Sequence, residues 1–262
     1  MGISLKEVSY SYITKKKKYK YILNNINLEI NEKDEFITII GETGSGKSTL
    51  VSLLNALKLP TKGELDILGF KIKSKRSNKI KYNDIRKRVG LVFQFSDYQL
   101  FEDTVLKDVM FAPKNFGKDD KEAEEIAKKA LEMVHFPSNL YDKSPFSLSG
   151  GEKKLASIAG ILAMESDVLI FDEPTAGLDP ETKKKVITLF KELNRCYHKT
   201  IIVITHDMNI VSNYASRVIL LNKGIVEFDG TPYDLFVNNS KIVEENKIGY
   251  PDCIRLTKYL NQ

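Results

Sequence analysis

Phe36-Ile37-Thr38-Ile39-Ile40 leads directly into Gly41-Glu42-Thr43-Gly44-Ser45-Gly46-Lys47-Ser48-Thr49, and the apolar run Leu50 to Leu57 follows. A short β-branched run that ends at a glycine reads as a buried strand. The residues after Thr49 read as a helix. A glycine-rich loop between the two, closing on Gly-Lys-Ser, is a phosphate-binding loop in the setting it requires. Its glycines let backbone N–H groups turn inward around a β-phosphate. The new helix aims its positive end at the same anion. Lys47 places a cation between the β- and γ-phosphates, and Ser48 offers a hydroxyl ligand to Mg²⁺. Alone, the pattern states only that the chain binds a nucleoside triphosphate.

Two other runs, Val168–Phe171 and Ile201–Ile204, read as buried strands in the same way. Helical stripes lie between them: Ala123, Ile126, Ala127, Ala130, Leu131 and Val134 share one face, and so do Val186, Ile187, Phe190 and Leu193. Buried strands separated by helices predict an α/β fold with a mostly parallel sheet covered on both faces. The stretch from Ser96 to Met164 contains no convincing strand and reads as a helical insert. Beyond Phe236 the chain turns polar, then weakly amphipathic, which predicts a small C-terminal appendage.

The run Val168–Phe171 ends on Asp172-Glu173-Pro174. An aspartate at a strand's carboxyl end can hold Mg²⁺, and the adjacent glutamate can polarise an attacking water as general base. The pair is weak evidence by itself and strong evidence downstream of a phosphate loop. Leu148-Ser149-Gly150-Gly151-Glu152 precedes a helical run and has the makings of a second anion site. Ser149 offers its hydroxyl, Gly150 and Gly151 offer backbone N–H groups, and the helix start offers its dipole.

Phosphate loop, LSGG signature, Asp-Glu-Pro and a later histidine occur in the order found in ABC ATPases, and the resemblance covers nearly the whole chain. It implies a P-loop NTPase core with an N-terminal antiparallel β subdomain. On this pattern residues 1–236 form the ATP-binding domain, with a helical subdomain at about 97–164, and residues 237–262 form a C-terminal dimerisation extension. It further implies that Tyr12 stacks on adenine, that Gln94 touches Mg²⁺ or the lytic water, and that Glu173 is the catalytic base. Asp179 would stand at a dimer interface and His206 at the γ-phosphate. In this family the signature of one subunit covers ATP held by the phosphate loop of the other, so two ATPs are sandwiched head to tail.

The stretch Val89 to Phe95, then Tyr98 to Val105, together with Asp108-Val109, Phe111 to Gly117 and Ala159 to Met164, is similar to the ATPases of energy-coupling factor (ECF) transporters, second type. These import vitamins or transition-metal ions. The resemblance implies three partners: a second ATPase subunit (a paralogue, or a second copy), a transmembrane coupling protein, and a membrane-embedded substrate-binding subunit. No nucleic acid is expected. Gln99, Leu100 and Phe101 would lie near the groove that receives the coupling protein, unless they fold into the local core. The tail around Gly249-Tyr250-Pro251 and Leu256 to Leu260 is similar to the extension by which these subunits dimerise. Glu152 stands where the signature often has glutamine, Glu42 replaces a more usual histidine, and Ser96-Asp97 replaces a Pro-acid pair.

Composition agrees with a peripheral protein at the cytoplasmic face of the cell membrane. The 262 residues contain no apolar run long enough to span a bilayer and no secretory leader. Two isolated cysteines, Cys196 and Cys253, form neither a disulfide framework nor a zinc pair. The net charge of +5 is concentrated in Lys15–Lys18 and in a zone from Lys71 to Arg88. Such runs fit solvated turns, or attraction to nucleic acid or anionic headgroups. A soluble ABC ATPase of nucleic acid or ribosomes, or the ATPase of another ABC transporter, is the alternative reading. The short span between phosphate loop and signature, without sustained heptads, argues against the DNA-repair members.

Overall fold

Ile37 and Ile39 of FITII face one core while Phe36 faces another, so the strand is buried on both sides. The same two-sided alternation holds along the neighbouring runs, where Val168 and Ile170 oppose Leu169 and Phe171, and Ile202 and Ile204 oppose Ile201 and Val203. That pattern is the signature of a parallel sheet sandwiched between layers. The computed structural model describes residues 2–13, 19–74, 77, 79–94 and 99–260. The basic run Lys15–Lys18, Lys75 and Arg76 of the second basic zone, and Phe95 to Tyr98 lie outside the described residues.

The strands are β1 (Ile3–Ile13), β2 (Tyr19–Ile30), β3 (Phe36–Ile40), β4 (Lys62–Ile67), β5 (Phe70–Ile72), β6 (Val89–Val92), β7 (Val168–Asp172), β8 (Thr200–Ile204), β9 (Arg217–Asn222) and β10 (Ile225–Gly230). The helices are α1 (Lys47–Leu54), α2 (Tyr82–Arg88), α3 (Val105–Asn115), α4 (Asp120–Met133), α5 (Gly150–Leu162), α6 (Pro180–Arg195), α7 (Met208–Tyr214), α8 (Ser240–Glu245) and α9 (Asp252–Leu260). A six-stranded sheet runs β10-β9-β3-β8-β7-β6, parallel except for β10, and a four-stranded antiparallel sheet runs β2-β1-β4-β5. A shared core holds the antiparallel sheet, α1 and one face of the six-stranded sheet together. The other face packs against α3–α6, where Phe171 stacks on Phe190 at 4.0 Å.

Residues 99–164 form helices without a strand, as the sequence predicts. The expected boundary between residues 236 and 237 falls inside one helical turn, Asp234–Asn238, because Leu235 and Phe236 are core residues and anchor that turn to the sheet domain. The two sheets are also tied by charge. Arg217 of β9 makes a two-pronged pair with Asp229 of β10 at 2.6 and 2.7 Å, and donates to the Glu29 carbonyl of β2 at 2.8 Å. Its planar guanidinium suits both partners at once. Arg217→Ala leaves the Asp229 carboxylate and the Glu29 carbonyl without this donor, and is expected to cost about 2 kcal/mol in urea-unfolding stability.

Candidate functional site: a phosphate-loop cleft

Because β3, β6, β7 and β8 run parallel, their carboxyl ends meet at one edge of the sheet, where open α/β sheets bind their ligands. Four loops leave from there: Gly41–Gly46 after β3, Phe93-Gln94 after β6, Glu173 after β7 and Thr205-His206 after β8. The register is tight, since Ile204 lies level with both Ile39 and Asp172. Together these loops form a cleft lined by Thr43, Gly44, Gly46, Lys47, Ser48, Thr49, Gln94, Asp172, Glu173 and His206. Tyr12 and Lys20, cross-strand partners in β1 and β2, close one end. The Tyr12 ring is half exposed and stands nearly perpendicular to Tyr10, with ring centroids 6.0 Å apart.

The phosphate loop is built around two glycines whose backbones no side chain could share. Gly41 has φ +140° and passes 2.1 Å from the Leu221 carbonyl, measured from where a Cβ would stand. Gly46 has φ +108° and caps α1 in a left-handed conformation. The Lys47 ammonium donates to the Gly41 and Glu42 carbonyls at 2.8 and 2.9 Å, which fixes its charge at the centre of the loop. Ser45 is buried, its N–H closing the turn onto Glu42, whose own side chain is exposed.

Burial governs the electrostatics. Desolvation pushes Asp172 above the usual aspartate range against the pull of a Ser48 hydrogen bond and of Lys47. It pushes Glu173 up to about 7, helped by the adjacent Asp172. Desolvation also lowers Lys47 and His206. Glu173 has φ 49°, a left-handed conformation that costs a non-glycine residue about 1 kcal/mol or more. His206 Nε2 approaches Glu173 Oε1 to 3.5 Å without hydrogen-bond geometry, so that oxygen is buried with no hydrogen-bond partner. The Ser48 hydroxyl, the Asp172 carboxylate and the Gln94 amide oxygen are hard oxygen donors, the set that a magnesium ion takes.

Ser149, Gly150, Gly151 and Asp179 do not line this cleft; they gather elsewhere, at the starts of α5 and α6. A Cβ on Gly151 would lie 3.9 Å from Leu178 and Thr182, so the two helix starts adjoin. Asp179 caps α6, accepting from the Glu181 and Thr182 amides at 3.0 Å; the Thr182 hydroxyl, then these amides, hold it below the usual aspartate range. Ser149 and Glu152 form a reciprocal capping box. The Ser149 amide donates to Glu152 at 2.7 Å, and the Glu152 amide donates to Ser149 Oγ at 3.3 Å. The Ser149 hydroxyl also donates to Glu152 at 2.7 Å, and this bond and the amide one lower the Glu152 carboxyl. The unusual glutamate of the signature is thus occupied by its own helix start.

Two residues near these sites, Lys154 and Lys183, carry no motif in the sequence, and a third, Asp108, belongs only to the stretch that resembles the ECF ATPases. Lys154 is buried on α5 and donates to the Gln94 carbonyl at 2.9 Å, joining the signature helix to the glutamine loop. Lys183 of α6 pairs with Asp207 beside His206. Asp108, buried at the start of α3, accepts from the Phe101 and Glu102 amides at 3.0 and 2.9 Å and fixes that loop. Lys154 gave a signal as a lysine among the apolar residues of a helix, and Asp108 as part of the ECF-like stretch, though without its anchoring role. Leu100 and Phe101 separate: Leu100 is 7% exposed and joins the core, whereas Phe101 is 54% exposed, edge-on to exposed Phe111 at 4.8 Å. Both line a groove with Gln99, Arg86 and Phe116.

Residues 23–176 match the ABC transporter family. Over its whole length the chain is 47% identical to the energy-coupling factor transporter ATP-binding protein EcfA2 of Streptococcus agalactiae, covering 92% of that protein. It is also 47% identical over 236 residues to the EcfA2 of Ligilactobacillus salivarius, which is 90% of this chain and 81% of that one. Among solved structures, cbiO1 from Clostridium perfringens, part of the ABC transporter complex cbiONQ, matches with a TM-score of 0.80 and 33% identity, over 99% of this chain and 98% of that one. The dimeric post-hydrolysis state of the ATP-binding cassette MJ0796, bound to ADP and Pi, matches with a TM-score of 0.79 and 32% identity, over 88% and 98%.

The raised Glu173 carboxyl sets a pH dependence. With a folded pKa of about 7 against an ordinary 4.5, the folded chain keeps a proton that the unfolded chain has lost, so its carboxyl costs stability increasingly as pH rises between these values. In nucleotide-free protein with EDTA, Glu173→Gln is expected to melt above wild type at pH 8. The gap should narrow as pH falls and close near pH 4.5.

Proposed function

This chain belongs to the ABC transporter family as an ATP-binding, ATP-hydrolysing subunit of the energy-coupling factor type, and we propose a division of labour among its residues on that premise. The observation that carries it is the convergence of Lys47, Ser48, Gln94, Asp172, Glu173 and His206 on one cleft. The glycine loop and α1 surround the phosphates with N–H groups, Lys47 neutralises charge between the β- and γ-phosphates, and Tyr12 stacks on the base. Ser48, Asp172 and Gln94 hold Mg²⁺, which supplies charge neutralisation at the phosphates when bound. Glu173 orients and deprotonates the water, and His206 contacts the γ-phosphate.

Ser149, Gly150 and Gly151 serve the ATP held by the second subunit, and Asp179 lies at the same interface. The conformation of Gly150 supports this. Its φ is not left-handed and a Cβ there would meet nothing within 4 Å, so its own chain does not demand glycine. The exposed Leu256, Tyr259 and Leu260 of α9 offer an apolar surface to the second subunit, which we take to be a paralogue. No helix among the described residues is long and apolar enough to cross a membrane. The groove bearing Phe101 and Phe111 receives the membrane coupling protein, its exposed aromatic pair offering the docking surface, and the chain works at the cytoplasmic face of the membrane. Selection of the vitamin or metal ion falls to another subunit.

Glu173→Gln is expected to bind ATP normally and to hydrolyse it at least about a hundredfold more slowly, the scale of losing a general base; unchanged single-turnover rates would remove Glu173 from that role. Phe101→Asp, a surface change, is expected to leave nucleotide affinity and melting temperature intact while releasing the chain from detergent-solubilised membrane partner in a pull-down. Leu100→Asp cannot make this test, because it buries a charge in the core.

A further inference from the structure

The loop carrying His206 is pinned on both flanks. The Asp207 amide donates to Thr205 Oγ1 at 3.0 Å, and the Asp207 carboxylate caps α7 through the Asn209 amide at 2.8 Å while pairing with Lys183. Three residues past His206, the Asn209 side chain makes two complementary bonds to the first residue of α9. Its Nδ2 donates to the Asp252 carboxylate at 2.7 Å, and its Oδ1 accepts from the Asp252 amide at 2.9 Å. Packing runs the same way. Ile40, the last residue before the phosphate loop, and Met208, beside the histidine loop, share one core with Ile248, Tyr250 and Ile254 of the extension. A polar cleft lined by Glu173, His206, Lys183, Asn209, Tyr250 and Arg255 marks where the extension meets the catalytic edge. From Asp252 onward α9 presents Leu256, Tyr259 and Leu260 to the outside.

One end of α9 thus touches the histidine loop and the other carries the surface assigned above to the second subunit. We propose that the Asn209–Asp252 pair is a latch through which the C-terminal extension positions the His206 loop, so that docking of the second ATPase subunit on α9 sets the geometry at the γ-phosphate. Asn209 and Asp252 are positioning residues here, acting through His206, and the latch rests on the role given to that histidine. A carboxamide facing a carboxylate and an amide N–H satisfies all three groups. Two carboxylates in the same place would repel at 2.7 Å, and exchanging the two side chains restores a carboxamide facing a carboxylate.

The test uses the assembled transporter in detergent, with ATP hydrolysis measured over a range of ATP concentrations and subunit stoichiometry read by mass. Asn209→Asp is expected to lower kcat about tenfold, the scale of a small misplacement at a reacting centre, with KM and stoichiometry unchanged. Adding Asp252→Asn to that variant is expected to return kcat to within about twofold of wild type, as coupled sites require. Asn209→Ala removes both bonds without adding charge and is expected to lower kcat about threefold; it carries the test should Asn209→Asp fail to assemble. The latch is overturned by unchanged kcat in both single variants, by a fall in kcat that only mirrors loss of a subunit, or by failure of the exchanged pair to recover. Full hydrolysis by His206→Ala would instead overturn the histidine assignment, whatever the latch variants do.

Discussion

Parallel strand pairing is the constraint on which the site depends. Parallel strands cannot turn back on their neighbours, so each must return through a crossover and start again at the same end of the sheet. Every loop after β3, β6, β7 and β8 therefore leaves from one edge, and residues as far apart as Lys47, Gln94, Glu173 and His206 share a cleft. Pairing β3 with β8, and β8 with β7, sets the heights of the loops to within a residue. The two-sided burial of those strands makes that register hard to shift, since a one-residue slip would exchange the contents of two cores.

The same edge is where burial meets charge. Lys47, Asp172, Glu173 and His206 are each shifted toward their neutral forms by desolvation. The cluster nevertheless tolerates its charges because Lys47 is bonded to two loop carbonyls and Asp172 to the Ser48 hydroxyl. Glu173 is the exception, having a buried oxygen without a hydrogen-bond partner and a strained backbone. Unrelieved cost of this kind persists where function requires it. It falls on the residue proposed as the base, whose protonation must change during turnover.

The phosphate loop was legible from its glycine and Gly-Lys-Ser spacing, and the three buried strands and the helical stripes because each follows a single period. The antiparallel sheet was reachable only through family resemblance. In β1 the inward residues run Ile3, Leu5 and then Val8, and in β2 they run Leu23 and then Ile26 and Leu28, so the alternation changes parity midway. Left-handed Glu7 and Asn25 mark the bulges responsible. Leu100 and Phe101 show a different limit. Two adjacent apolar residues on a loop point to opposite environments, and only the Asp108 anchor decides which is outside. Glu152 departs from the family's glutamine, yet Ser149-x-x-Glu152 is a capping-box spacing that the Ser149 amide and hydroxyl complete.

What the chain does not satisfy internally is as informative as what it does. A glycine at the first position of a helix weakens it relative to alanine, and nothing within this chain would collide with an added Cβ at Gly150. In the proposed assembly, a surface approaching from outside accounts for that glycine and would also cover the bare apolar side of α9. The signature residues do not line the cleft of their own subunit, so under the proposed division of labour a single copy cradles phosphates without closing over them. Assembly must therefore reach the cleft by some path through the protein. The extension, packed between α9's outer face and the histidine loop, is the shortest such path that the hydrogen bonds trace.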